Sequence, residues 1–205
     1  TAVGYSALAN LTEGDDNTAL GYNTLGGNSS TALTGDRNTA IGASAGRDME
    51  GASTGNTLVG DSSGLALTTG NYNTAVGYQA GDSITDGNSN VLVGRGTGVA
   101  MTSQDEMVLI GNDAGAAINN DAADGSIGIG YNALAAMTSG THSTVIGASA
   151  GAALRGSLNT IIGHTAATAL VTGTSNTVIG ARAFGAADGG EQNNVIIGTD
   201  AGDVI

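Results

Sequence analysis

The sequence predicts an all-β fold, a parallel β-solenoid with rungs of about 17 residues, and three observations indicate it. A short sequence motif, Asn-Thr followed by two small or aliphatic residues and Gly, recurs along the chain, as in "NYNTAVGYQAG" at 71–81. The copies return with a modal spacing of 17 residues. The three residues before each glycine are never charged, and most are strong β-formers.

The glycine of this motif defines the repeat. It is taken as position 0 of each rung, and other positions are counted from it along the chain. Twelve copies are in phase, and their spacings run from 16 to 21 residues. The departures fall in the polar segments between copies, as insertions in a solenoid do. We therefore assign 1–205 to a single repetitive segment, in which glycine lets each rung bend without a Cβ penalty. The bend glycines are Gly4, Gly21, Gly42, Gly60, Gly77, Gly94, Gly111, Gly130, Gly147, Gly163, Gly180 and Gly198.

A short strand is predicted immediately before each glycine. Position −3 is Thr in eight copies and Val or Ile in the other four, and it shares one strand face with position −1. Position −2 is also apolar or small, so both faces of the strand are predicted to be buried. We expect position −1 to form the structural core of the repeat. Its residues are Val3, Leu20, Ile41, Val59, Val76, Val93, Ile110, Ile129, Ile146, Ile162, Ile179 and Ile197.

The turn between rungs is marked by asparagine at position −4, which occurs in eight of the eleven copies that contain this position. Stacked asparagines can hydrogen-bond from rung to rung, and they suit turns. With rungs about 4.8 Å apart, eleven steps give a rod on the order of 50 Å long.

Two buried strand faces predict association of several chains. A rung of about 17 residues can enclose only one face of its strand. The polar segments between the motifs are too short to cover the other face. We expect the row at position −2 to face outward and to pack against partner chains around the long axis. Sequence physics alone does not fix the number of chains.

Composition excludes several classes of function. The net charge is −13, there is no Lys, and five Arg are scattered, so nucleic acid is not an expected partner. No stretch approaches the ~20 apolar residues of a membrane helix, so we expect no membrane insertion by this segment. The absence of Cys removes disulfides and thiolate metal sites and fits an extracellular protein.

No catalytic, cofactor-binding or metal site is predicted, and we do not expect an enzyme. His142 and His164 are assigned to turns, and "GIGYNA" at 128–133 is in phase with the repeat rather than a dinucleotide-binding motif. The acidic residues of the turns are interpreted as solvated, with Ca²⁺ binding by a pair such as Asp121 and Asp124 left open. These residues are Asp15, Asp16, Asp82, Asp86, Asp121, Asp124 and Asp188.

Tyrosine recurs directly after the motif glycine, at Tyr5, Tyr22, Tyr78 and Tyr131. Such a row either packs against the next rung or presents a contact for a partner. Tyr22, Tyr78 and Tyr131 are the candidate surface contacts.

The phrases "NTAIGASAG", "NTAVGYQAG" and "NTVIGARA" resemble the repeats of YadA-like trimeric autotransporter adhesin heads and of phage tail fibres. The resemblance covers nearly the whole chain. It implies a left-handed parallel β-roll, assembled with two further copies as a homotrimer. The period is longer than that of the adhesin head repeat, and neither a coiled-coil stalk nor a membrane anchor is present, so the choice between adhesin and phage fibre stays open.

These observations predict a non-enzymatic fibre segment, an excerpt of a longer protein, exposed outside a cell, on its surface or on a virion. It would mediate attachment to a receptor or surface that the sequence does not identify. One alternative is a monomeric solenoid that binds ice or carbohydrate on a flat face. Another is a solenoid polysaccharide lyase, which needs acids clustered with Lys or Arg.

Overall fold

A computed structural model describes residues 1–27, 31–186 and 190–202, which form a parallel β-solenoid of about eleven turns. Each strand occupies the residues directly before a motif glycine, as the repeat predicted. Numbered in chain order, the strands of the described residues are β1 Ala2–Val3, β2 Thr18–Leu20, β3 Thr39–Ile41, β4 Thr57–Val59, β5 Thr74–Val76, β6 Val91–Val93, β7 Val108–Ile110, β8 Ile127–Ile129, β9 Thr144–Ile146, β10 Thr160–Ile162, β11 Thr177–Ile179 and β12 Val195–Ile197.

The strands form one sheet in sequence order, and every neighbouring pair is parallel. The register is constant: Thr74, Ala75 and Val76 lie opposite residues 91–93, position for position. The extra residues of the longer repeats lie outside the strands. The 19-residue interval after Gly111 contains a 3₁₀ turn, Asp121–Ala123, capped by the side chain of Asn120. Each strand position therefore forms a continuous row along the sheet.

The interior of the solenoid is lined by the middle strand residue and by two further rows, at positions +3 and +7. Position +3 is mostly Ala, as at Ala80 and Ala114, which leaves a narrow interior. The row at +7 supplies the large side chains, and the sequence analysis missed it. The fully buried members of that row are Met49, Leu67, Ile84, Met101, Ile118, Met137, Leu154 and Leu170.

In several rungs a large side chain at position −2 or +4 is accompanied by glycine at the other position. Leu58 is followed by Gly64, where a Cβ atom would lie 2.8 Å from the Cδ2 atom of Leu58. In β8 the order is reversed, because Gly128 is paired with the buried Leu134. In these two rungs one leucine fills the interior space between the two positions, whereas the rung of Gly180 buries both Val178 and Phe184.

The motif glycines have φ between +132° and +148°, a region that L side chains rarely adopt. All of them except Gly198 also stand closer to the next rung than any other residue type permits. A Cβ atom on Gly77 would lie 2.4 Å from the carbonyl oxygen of Gly94 in the next rung. Glycine is required here by the approach of adjacent rungs as well as by the bend.

The asparagines at position −4 form a buried ladder, which confirms the predicted rung-to-rung bonding. Asn73 donates from Nδ2 to the Oδ1 atom of Asn56 and to the carbonyl oxygen of Gly87. Asn90 donates to Asn73 in the same way at 2.9 Å. The left-handed backbone conformation belongs to the preceding residue, such as Tyr72 with φ of +59°.

Candidate functional site

The outer face of the sheet, defined as positions −3 and −1 of β1–β12, is an extended, partly exposed surface of Thr and aliphatic side chains. Ile41, Ile110 and Ile162 in the inner strands expose 36 to 37% of their surface. At the ends of the sheet, where a strand has only one neighbour, Val3 and Ile197 expose 55% and 66%. This face is continuous, since each −1 residue lies opposite the next in register.

The sequence-based assignment of the two strand faces was wrong for the single chain. The row at −2, expected to face outward, points into the solenoid, with Ala75 and Leu92 buried. The row at −1, expected to form the internal core, lies on the outer face. Both rows are apolar, so alternation of polarity carried no information about direction. The solenoid closes around the row at −2, which faces the buried rows at +3 and +7. The outer-face residues at −1 are Val3, Leu20, Ile41, Val59, Val76, Val93, Ile110, Ile129, Ile146, Ile162, Ile179 and Ile197.

The outer face carries no charge, although the chain has 18 acidic residues. A strip about 50 Å long and 10 Å wide covers roughly 500 Å², which is the size of the largest apolar patch on a typical monomer, a patch that is often functional. Its chemistry is that of Thr hydroxyls and aliphatic side chains alone. It offers no acid, base or nucleophile pair.

The tyrosines after the motif glycines are exposed to solvent. Tyr22, Tyr78 and Tyr131 expose 58%, 49% and 57% of their surface. Tyr5 stacks on Tyr22 with ring centroids 5.5 Å apart and planes 10° from parallel. Tyr5 and Tyr22 therefore pack against each other across adjacent rungs. Tyr78 and Tyr131 have no ring partner in the described part of the chain.

The acidic turns of the described residues do not converge on a cation site. The Asp121 carboxylate bonds to Ser103 Oγ, whereas Asp124 Oδ1 accepts a hydrogen bond from the backbone N–H of Asp105 at 3.1 Å. Within 1–27, 31–186 and 190–202, no group of three or more acidic or histidine side chains is placed to hold a metal. Asp188, also among the predicted acidic positions, lies outside the described residues.

Three carboxyl groups at the turns have shifted pKa values. Burial raises the pKa of Asp124, and the nearby carboxylates of Asp105 and Asp121 add to this shift. Burial likewise raises the pKa of Asp82. The hydrogen bond from Arg182 lowers the pKa of Asp200 through two contacts of 2.6 and 2.7 Å. These three carboxyl groups lie in turns and not at the strand positions that form the outer face.

A second polar ladder, also missed from sequence, runs along one corner at position −6. Each member accepts a hydrogen bond from the backbone N–H of the previous member: Asn71 from Thr54 at 2.8 Å, and Asn88 from Asn71 at 3.0 Å. Asp105 and Asp124 continue the row. The recurrence of Asp, Asn and Thr at this position was the available signal.

The two histidines are exposed and do not face each other. His142 follows Thr141 at a turn with φ of +56°, and His164 follows the motif glycine Gly163. Thr165 Oγ1 lies 3.4 Å from His164 Nδ1 and donates to the His164 carbonyl oxygen. No third group of a nucleophilic triad accompanies either histidine in the described residues.

Fold and surface together define a repetitive parallel β-solenoid with one uncharged apolar face. No protein-family model, no curated protein and no solved structure matches the chain.

Among the residues that the structure describes, no helix has the length and apolar character needed to cross a membrane.

Proposed function

We propose that the chain is a non-enzymatic segment of an extracellular attachment fibre, a left-handed β-roll that assembles as a homotrimer through its outer face. The observation that carries this proposal is the uncharged aliphatic row at position −1, which lies on the outer face of all twelve strands and is exposed in some members and half-buried in the others. A soluble rod with such a row gains free energy by covering it, at about 25 cal/mol per Å² of apolar surface before entropy costs.

Charge supports a second copy as the occupant of this face. The chain carries a net charge of −13, so the acidic turns of two copies repel each other. The outer face is the one long surface from which charge is excluded in every copy of the repeat. The number three and the left hand follow from the resemblance to adhesin-head and tail-fibre repeats.

The mechanism of such a segment is mechanical. Asparagine ladders and close glycine contacts couple each rung to the next, which stiffens the rod. A stiff trimer holds its attachment sites at a fixed distance from its base and repeats weak contacts along its length, so that avidity replaces single-site affinity. The cell or virion surface that bears the fibre and the receptor that it meets are not specified by these features.

Sedimentation equilibrium tests the assembly directly. We expect about three times the 19.7 kDa chain mass. Ile179→Asp places a charge on the outer face and is expected to give a folded monomer with an unchanged circular dichroism spectrum. A stable wild-type monomer, or an Ile179→Asp variant that keeps the trimer mass, contradicts the proposal.

One observation favours a second candidate, a monomeric solenoid that binds ice or carbohydrate on its flat face. The threonines at position −3, such as Thr74 and Thr177, lie on the outer face and not inside. Regular hydroxyl and methyl rows in register are suited to ordering water. This candidate predicts a monomer that slows ice growth, whereas the fibre segment predicts a trimer without that activity.

A further inference from the structure

Tyr22, Tyr78 and Tyr131 form an aromatic row along the rod, here called the tyrosine row, and Tyr5 stacks on its first member from the preceding rung. The three members of the row follow the second, fifth and eighth motif glycines, so neighbouring members are three rungs apart. At about 4.8 Å per rung this spacing is about 14 Å in both steps.

The backbone keeps this row straight. The Tyr22 carbonyl oxygen accepts a hydrogen bond from the N–H of Ser44 at 2.8 Å, and the Tyr78 carbonyl accepts from Gly96 at 2.9 Å. The same bond joins Tyr131 to Ser149 at 2.8 Å. Because these bonds hold position +1 in register from rung to rung, the longer intervals at Gly21 and Gly111 do not displace the tyrosines.

Each tyrosine is followed by an amide side chain, namely Asn23, Gln79 and Asn132. None of these three amides makes a side-chain hydrogen bond to the described residues. An exposed ring beside an unengaged amide combines a stacking surface with donors and acceptors for hydroxyl groups. The rungs between Tyr22 and Tyr78 present only Ala43 and Asp61 at the same position.

We propose that the tyrosine row binds an extended, neutral, β-linked polysaccharide. Sugar rings stack on aromatic faces through their C–H groups, and their hydroxyls suit the adjacent amides. Exposed rings repeated along one line can contact successive segments of an extended polymer. The net charge of −13 disfavours anionic glycans. This inference deepens the attachment role proposed above and does not depend on the number of chains.

Native affinity electrophoresis of the chain tests the inference with two matched polymers, neutral hydroxyethyl cellulose and anionic carboxymethyl cellulose. We expect retardation by the neutral polymer and little by the charged one. Tyr78→Ala and Tyr131→Ala should each weaken binding about threefold to tenfold. Tyr78→Phe should retain most of it, because the ring face remains.

Tyr72 provides the matched control, since it is 64% exposed but lies outside the row. Tyr72→Ala should bind as the wild type does. No retardation by the neutral polymer, equal retardation by both polymers, or an equal loss in Tyr72→Ala overturns the inference. Sedimentation of the same samples separates this result from the proposed function, because Tyr78→Ala should keep the wild-type mass.

Discussion

Asn73 donates a hydrogen bond from Nδ2 to Oδ1 of Asn56 at 3.2 Å, in a ladder that is buried along the solenoid. Its own Oδ1 accepts from the backbone N–H and Nδ2 of Asn90, and its Nδ2 also binds the Gly87 carbonyl oxygen at 2.7 Å. One side chain thus satisfies polar groups of three rungs. The ladder therefore couples neighbouring rungs in addition to the strand hydrogen bonds.

Replacing Asn73 with alanine is expected to destabilise the chain by about 2–4 kcal/mol, because the Asn90 N–H and the Gly87 carbonyl lose their buried partners. Urea unfolding followed by circular dichroism measures this change. Asn71→Ala is the matched control: its side chain joins the half-exposed ladder at position −6, where water replaces the lost bonds, and the expected cost is below about 1 kcal/mol. Equal losses of unfolding free energy in the two variants would show that burial does not determine how much the asparagine ladder at position −4 stabilises the chain.

Gly77→Ala is expected to destabilise the solenoid by about 3 kcal/mol or more, since the new Cβ atom would lie 2.4 Å from the Gly94 carbonyl oxygen and adjacent rungs must separate. Gly51→Ala is the comparison. Gly51 has φ of +57°, but a Cβ atom there meets nothing within 4 Å, so only the backbone cost of about 1 kcal/mol applies. Thermal and urea unfolding of both variants check the difference. A mild Gly77→Ala variant would contradict the close approach of the rungs.

Asp124→Asn is expected to stabilise the protein at neutral pH by up to about 1 kcal/mol. The pKa of Asp124 is raised in the folded chain, mainly by burial, so the folded state binds its proton more tightly than the unfolded chain does. Wild-type stability therefore falls as the pH rises from the ordinary aspartate pKa through the raised folded value. Asparagine removes this loss and keeps the acceptor for the Asp105 N–H.

Urea midpoints of wild type and Asp124→Asn, measured from pH 3 to pH 8, should coincide at the acid end and separate as the pH rises. The values of pH are chosen to bracket the ordinary aspartate pKa of about 3.9. Asp86→Asn serves as a surface control that removes one negative charge at another turn. A midpoint difference that is constant across the pH range would contradict a titration of Asp124.

The positions of the strands were predictable because twelve in-phase copies place the same β-forming residues before the same glycine. The asparagine ladder followed from the same periodicity. The direction of the strand faces did not follow, since Ala75 and Val76 are both apolar and alternation cannot choose between them. The buried row at Leu67 and Ile84 was the missing clue, because it shows which side of the strand has apolar side chains facing it.

The compensation between positions −2 and +4 gives a prediction that depends on the corrected direction of the strand faces. Leu109 is buried opposite Gly115, and a Cβ atom on Gly115 would lie 2.6 Å from the Cδ1 atom of Leu109. Leu109→Ala should cost about 3–5 kcal/mol by opening a cavity, and Gly115→Leu should destabilise by overpacking. In the next rung, Gly128 and Leu134 show the exchanged order, with Leu134 at φ of +55°.

The double variant Leu109→Ala/Gly115→Leu reproduces that exchanged order, so we expect it to regain at least half of the stability lost by Leu109→Ala. A double-mutant cycle from urea unfolding measures the coupling, which should favour the pair by more than about 1 kcal/mol. The matched cycle Ile110→Ala/Gly115→Leu uses the neighbouring outer-face residue and should show no coupling, because position −1 does not share the interior. Additive costs at Leu109 and Gly115 would mean that these side chains do not occupy a common space.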